Sequence, residues 1–87
     1  MSWHTIKESI QKDLLSRNLK NPNIRLNALE NIETLLTKKK PDFIKNPERE
    51  FKTLDKNEFK KNLSMFKENG RLSSAESSII NEIYKRI

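Results

Sequence analysis

The chain has 87 residues and a formal net charge of +6; 34% of its residues are charged and 33% are hydrophobic. These values predict one small domain with a modest core, and a deep pocket for a metabolite is not expected. The absence of cysteine excludes disulfides, thiolate catalysis and cysteine-ligated zinc. No apolar run reaches the roughly 18 residues of a membrane span. The N-terminal residues lack the apolar region of a secretory signal, so a soluble, cytoplasmic protein is expected.

The first predicted helix spans residues 3–19. Its apolar residues recur at helical spacing and predict one buried face: Trp3, Ile6, Ile10, Leu14, Leu15 and Leu19. Ser2 or Thr5 is expected to cap its N-terminus. Asn21-Pro22-Asn23 then stops the helix.

The second predicted helix spans residues 22–39, with Asn21 as N-cap and Pro22 at the first helical position. Its apolar stripe consists of Leu26, Ala28, Leu29, Ile32, Leu35 and Leu36. Pro41 prevents the helix from continuing. The lysines that precede Pro41 complement the negative end of the helix dipole.

Residues 41–53 are predicted to be a partly helical linker. Pro41 and Pro47 each suit the first position of a short helical turn, and together they forbid one long helix. The linker is too apolar for a free tether, so Phe43, Ile44 and Phe51 are expected to hold it against the bundle.

Two helices at 55–68 and 73–86 are the best-specified elements. Asp55 is the expected N-cap of the first, with Leu54 and Phe59 at the spacing of a hydrophobic staple. Gly70 suits the left-handed residue that follows a helix C-terminus, and Ser73 begins a second capping box. The predicted fold is therefore all-α: a small single-domain bundle of four main helices with a C-terminal αα-hairpin.

No catalytic, cofactor-binding or metal site is predicted. His4 is the only histidine, and it has no cysteine or second histidine with which to hold a metal. The sequence contains no phosphate-loop, dinucleotide or nucleophile-elbow pattern. These features indicate that the protein is not an enzyme.

The first functional hypothesis is a protein-binding module, a small regulator, adaptor or inhibitor that covers a partner's surface. Large apolar or aromatic residues near helix ends are its candidate contacts: Trp3, Phe43, Phe51, Tyr84 and Ile87. Trp3 either closes the core or serves as an exposed anchor. The net charge suits an acidic partner, and the C-terminal residues also offer a surface to a second copy of the chain.

The second hypothesis is DNA or RNA binding by a helix-turn-helix-like hairpin at residues 55–87. Its candidate phosphate contacts are Lys38, Lys39, Lys40, Lys60, Lys67 and Arg71. Against it, 13 of the 18 basic residues are lysine, whereas arginine is the usual reader of bases and phosphates. Positive charge is also spread evenly along the chain, which argues against one concentrated basic face. A membrane-surface helix is a third, weaker hypothesis, because the polar face of the first helix mixes acids with bases.

Overall fold

The computed structural model describes residues 1–46 and 48–87 and confirms the all-α fold. Within these residues the chain forms five α-helices: α1 (Trp3–Ser16), α2 (Pro22–Lys39), α3 (Pro41–Lys45), α4 (Thr53–Glu68) and α5 (Ser74–Arg86). The bounds of α2 are those predicted. The first predicted turn of the linker is α3. The second begins at Pro47, which lies outside the described residues, and residues 48–52 are not helical.

The predicted end of α1 is wrong by three residues. Arg17 has an extended backbone conformation, and the Ser16 hydroxyl donates a hydrogen bond to the Asp13 carbonyl at 2.8 Å. A hydroxyl that bonds to the backbone in this way competes with the helical hydrogen-bond ladder. At the other end, the Ser2 hydroxyl accepts a bond from the Thr5 amide, so Ser2 is the N-cap.

The predicted start of α4 is also wrong, by two residues. Asp55 is the third helical residue and not the N-cap, because its carboxylate accepts a hydrogen bond from the Lys52 amide at 2.9 Å. Leu54 lies inside the helix and is 76% exposed, so no hydrophobic staple forms with the buried Phe59. The sequence pattern favoured Asp55 because acids suit both the N-cap and the first turn.

The C-terminal αα-hairpin is confirmed. Gly70 has a φ of 65°, the left-handed conformation in which glycine has no Cβ to clash. The Ser73 hydroxyl and the Glu76 carboxylate form the predicted capping box. Between the antiparallel helices, the Tyr84 hydroxyl donates to the Lys60 carbonyl at 3.0 Å.

Helix α2 is the centre of the bundle, since it packs against α1, α3 and α5. Helix α5 makes more extensive contact with α2 than with its hairpin partner α4. Aromatic packing holds the linker against α4. Phe43 and Phe51 of the linker are buried and both contact the ring of Phe59. Phe43 packs edge-to-face against Phe59 at a centroid distance of 5.6 Å, and Phe51 packs at a tilt at 4.5 Å. Helices α2 and α4 make far less backbone contact with each other. A surface groove lies between them.

Candidate functional site

The first part of this groove is an apolar cleft of about 380 Å³ where α2, the end of α4 and the start of α5 meet. Its apolar lining comes from Leu35, Phe66 and Leu72. Its polar lining residues are Asn31, Thr34, Asn69, Arg71 and Glu76. The cleft is therefore a concave apolar surface with a polar rim, which is the usual character of a site that accepts a side chain.

The second part is a basic cleft of about 370 Å³ between the C-terminus of α2 and the outer face of α4. It is lined by Lys39, Lys40, Glu58, Lys61, Asn62 and Met65. Lys40 forms a salt bridge with Glu58 across the two helices. Lys39 and Lys61 form no salt bridge with any described residue, so their ammonium groups are available to an external anion.

The two clefts follow one another along the same pair of helices. Leu35 in the apolar cleft and Lys39 in the basic cleft are one helical turn apart on α2. Phe66 and Met65 are consecutive on α4 and line the apolar and the basic cleft respectively. We call the whole depression the α2–α4 groove, with an apolar end and a basic end.

Met65 gives the basic end an apolar component. Its side chain is 43% exposed, and its position on α4 is outside the buried stripe that contains Phe59 and Leu63. Leu54, eleven residues earlier, lies on the same outer face. Methionine adapts its shape to different apolar partners, and for that reason it is common on binding surfaces.

Salt bridges separate the two sides of the molecule. Every lysine and arginine of α1 and α5 is paired with a carboxylate, and so is Arg17, the C-cap residue of α1. We call α1, Arg17 and α5 together the paired side. Among the residues that the structure describes, the lysines of α4 form no such pair: Lys56, Lys60, Lys61 and Lys67. Six of the nine lysines that form no salt bridge with a described residue thus lie on α4 or in the last turn of α2, although the sequence spreads charge evenly.

Glu82 is the hub of the paired side. Its carboxylate contacts Arg86 at 2.8 Å, Arg17 at 3.5 Å and Lys85 at 3.5 Å. The hydrogen bond from Arg86 and the nearby positive charges hold the pKa of Glu82 below its ordinary value, against the opposing effect of burial. These contacts join α1 to α5, so these charges have a structural role.

The predicted partner-binding residues lie mostly in the core. Trp3, Phe43 and Phe51 are buried, and Trp3 is 1% exposed, so the interpretation of Trp3 as a core residue is confirmed. Its indole N–H donates to Glu33 at 2.7 Å. Tyr84 and Ile87 are half-buried against the core. None of these five residues lines the α2–α4 groove.

The predicted phosphate contacts divide between two regions. Lys39 and Lys40 line the basic end of the groove, and Arg71 lines its apolar end. Lys38 is exposed in the last turn of α2, next to Lys39.

Lys60 and Lys67 are not in the groove. They are seven residues apart on α4, on the side that faces α5. Lys67 donates a hydrogen bond to Asn81 of α5 at 3.1 Å, and the Lys60 carbonyl accepts the bond from Tyr84. The structure therefore does not bring the six predicted residues onto one surface.

Sequence reasoning missed Lys61, Met65, Phe66 and Leu72 as groove residues. The sequence feature that could have indicated the groove was Met65, an apolar residue outside the buried stripe of its own helix. Phe66 and Leu72 gave no such signal, because each fits a core pattern.

In residues 1–46 and 48–87 no three acidic or histidine side chains converge on a point where they could hold a metal ion. No helix in the described part of the chain is both long enough and apolar enough to cross a membrane. Comparison of the chain with protein-family models, with curated proteins and with solved structures finds no match.

Proposed function

We propose that this protein is a non-enzymatic protein-binding module, a small regulator, adaptor or inhibitor that holds a segment of a partner protein in the α2–α4 groove. The observation that supports this most is the adjacency of the apolar and the basic cleft, whose lining residues are one helical turn apart on α2 and consecutive on α4. A groove of this kind provides both apolar burial, which supplies affinity, and charge, which steers association and adds specificity.

The mixed lining favours a protein partner over nucleic acid. Leu35, Leu72 and Met65 offer apolar surface, for which a phosphate backbone has no counterpart. The groove contains one arginine, Arg71, and it lies at the apolar end. Stacking of single-stranded bases would need exposed aromatic rings, and the only aromatic residue in the lining, Phe66, is buried.

Site-specific photo-crosslinking tests this proposal. A photoreactive phenylalanine at the exposed Thr34 lies in the groove, and the same group at the exposed Lys12 of α1 is a matched control on the paired side. We expect the photoreactive group at the Thr34 position to form an adduct with a partner protein and the same group at the Lys12 position to form none. Excess wild-type protein should suppress the adduct, and the Lys39→Glu/Lys61→Glu variant should not.

Two results would contradict protein binding by the groove. One is an adduct that disappears on nuclease treatment. The other is an equal yield from the two positions. In the first case, binding to DNA or RNA that weakens steeply with salt would support the nucleic-acid hypothesis.

A further inference from the structure

Resting on the proposed function, we infer that the partner segment of the α2–α4 groove is acidic and has one large apolar anchor. The anchor fills the apolar end of the groove beside Leu35 and Leu72. Carboxylates further along the same segment pair with Lys39 and Lys61 at the basic end.

The apolar end fits one anchor side chain. Its volume of about 380 Å³ is sufficient for one large side chain, and its polar groups lie at the rim. Glu76 is part of this rim, but its carboxylate already accepts hydrogen bonds from the Ser73 amide and hydroxyl. Arg71 forms no salt bridge with a described residue, so its guanidinium group is available to an anion beside the anchor.

The basic end has the charge that selects carboxylates. The Lys40–Glu58 salt bridge neutralises one lysine and the only acid that lines this cleft. Lys39 and Lys61 remain, on opposite walls of the same cleft. Two unpaired ammonium groups repel one another, and a carboxylate between them makes charge-assisted hydrogen bonds and removes that repulsion.

The spacing along the groove defines the segment. Leu35 and Lys39 are four residues apart, which is about 6 Å along a helix. Lys61 lies on the facing wall. A helical segment would therefore place its carboxylates roughly one to two turns from its anchor. This order of anchor and acids distinguishes the proposed segment from a uniformly charged polyanion.

Unbiased peptide selection tests this inference with the full chain. Random peptides displayed on phage are selected on the wild-type protein, and amide chemical shifts locate the bound peptides. We expect shifts at the α2–α4 groove, a clear excess of Asp and Glu in the selected peptides, and one large apolar residue that cannot be replaced by alanine.

Charge variants of the protein give the matched comparison. Lys39→Glu/Lys61→Glu changes the two groove lysines, and Lys20→Glu/Lys45→Glu changes two exposed lysines outside the groove by the same total charge. We expect the selected peptides to bind on the order of tenfold more weakly to the groove variant than to the control variant. Circular dichroism establishes that both variants are folded.

The outcomes separate the inference from the proposed function. Peptides that bind in the groove without an acidic excess, or that bind both variants equally, would overturn the inference and leave protein binding in place. Peptides that shift only residues outside the groove, or a selection that yields none, would overturn both. Displacement of groove-bound peptides by a short oligouridylate at physiological salt would also overturn the inference, since the basic end would then accept phosphates.

Discussion

The paired side of the molecule and the α2–α4 groove use similar charges for different purposes. On the paired side, Lys7 of α1 contacts Glu33 of α2 at 3.0 Å, and Arg17 and Arg86 converge on Glu82. In the groove, Lys39 and Lys61 have no such partner among residues 1–46 and 48–87. The difference indicates that lysine content alone says little about function. A lysine that pairs with a carboxylate stabilises the fold, whereas a lysine without such a pair is available to bind an external anion.

The paired side also contributes Trp3, the largest of the fully buried side chains in the described part of the chain. The N-terminal turn of α1 inserts Trp3 into the core, where its indole N–H bonds to Glu33, and Lys7 donates to the same carboxylate at 3.1 Å. Burial is the largest single effect on Lys7 and lowers its pKa, but the hydrogen bonds that Lys7 donates to Glu33 and Glu30 and their negative charges together raise the pKa above its ordinary value. Removal of groups on this side should therefore lower stability, whereas changes in the groove should alter binding.

The largest effect is expected from Trp3→Ala, which leaves a cavity in the core and removes a donor from Glu33. We expect the free energy of unfolding to fall by about 3–5 kcal/mol. Urea denaturation measures it, with Trp3→Phe as a milder variant that retains most of the apolar volume. Leu15→Ala is the control, because Leu15 is an exposed residue of the same helix. Equal stability of Trp3→Ala and Leu15→Ala would show that Trp3 does not support the core.

A smaller effect is expected from Glu82→Gln, which keeps the shape of the side chain and removes its charge. Glu82 is 12% exposed and contacts three basic groups, so we expect a loss of about 1 kcal/mol at neutral pH. The comparison variant is Glu68→Gln, since Glu68 is exposed and forms no salt bridge with a described residue. Equal losses in the two variants would remove the distinction between the hub and an ordinary surface acid.

The same carboxylate should make stability depend on pH. The pKa of Glu82 is lower in the folded state than its ordinary value of 4.5. Its contribution is therefore complete above that value and is lost as the pH falls through the folded-state pKa. We expect Glu82→Gln to flatten the decline of unfolding free energy below pH 4.5, as measured by denaturation at a series of pH values. An unchanged slope in the variant would contradict this role.

The smallest effect on stability is expected in the groove. Lys39→Glu/Lys61→Glu should lower the free energy of unfolding by only about 0.5 kcal/mol. Neither lysine has a salt bridge to a described residue to lose, and the cost comes from reversing the charge of Lys39 at the negative end of the α2 dipole. Thermal denaturation measures this change in stability, with Lys20→Glu/Lys45→Glu as the charge-matched control variant. A loss of more than about 1 kcal/mol in the groove variant alone would mean that its lysines stabilise the fold, and the contrast between the two sides would disappear.

Much of the local structure was predictable because its causes lie within a few residues. Gly70 and the box formed by Ser73 and Glu76 specify the hairpin turn, and Pro41 ends α2. The errors, at the end of α1 and the start of α4, also have local causes. Ser16 and Asp55 each have two plausible roles near a helix end, and propensity does not decide between them.

The sequence by itself therefore determined the helices, the turn at Gly70 and the net positive charge. Only the tertiary structure decided that Trp3 is buried, that α5 packs mainly on α2, and where the positive charge stays uncompensated. The physical reason is distance along the chain. The Lys7–Glu33 and Arg17–Glu82 contacts join residues 26 and 65 positions apart, and the α2–α4 groove exists only where two separate helices meet. Helical periodicity specifies which face of each helix is apolar, but it does not specify which helix that face will meet.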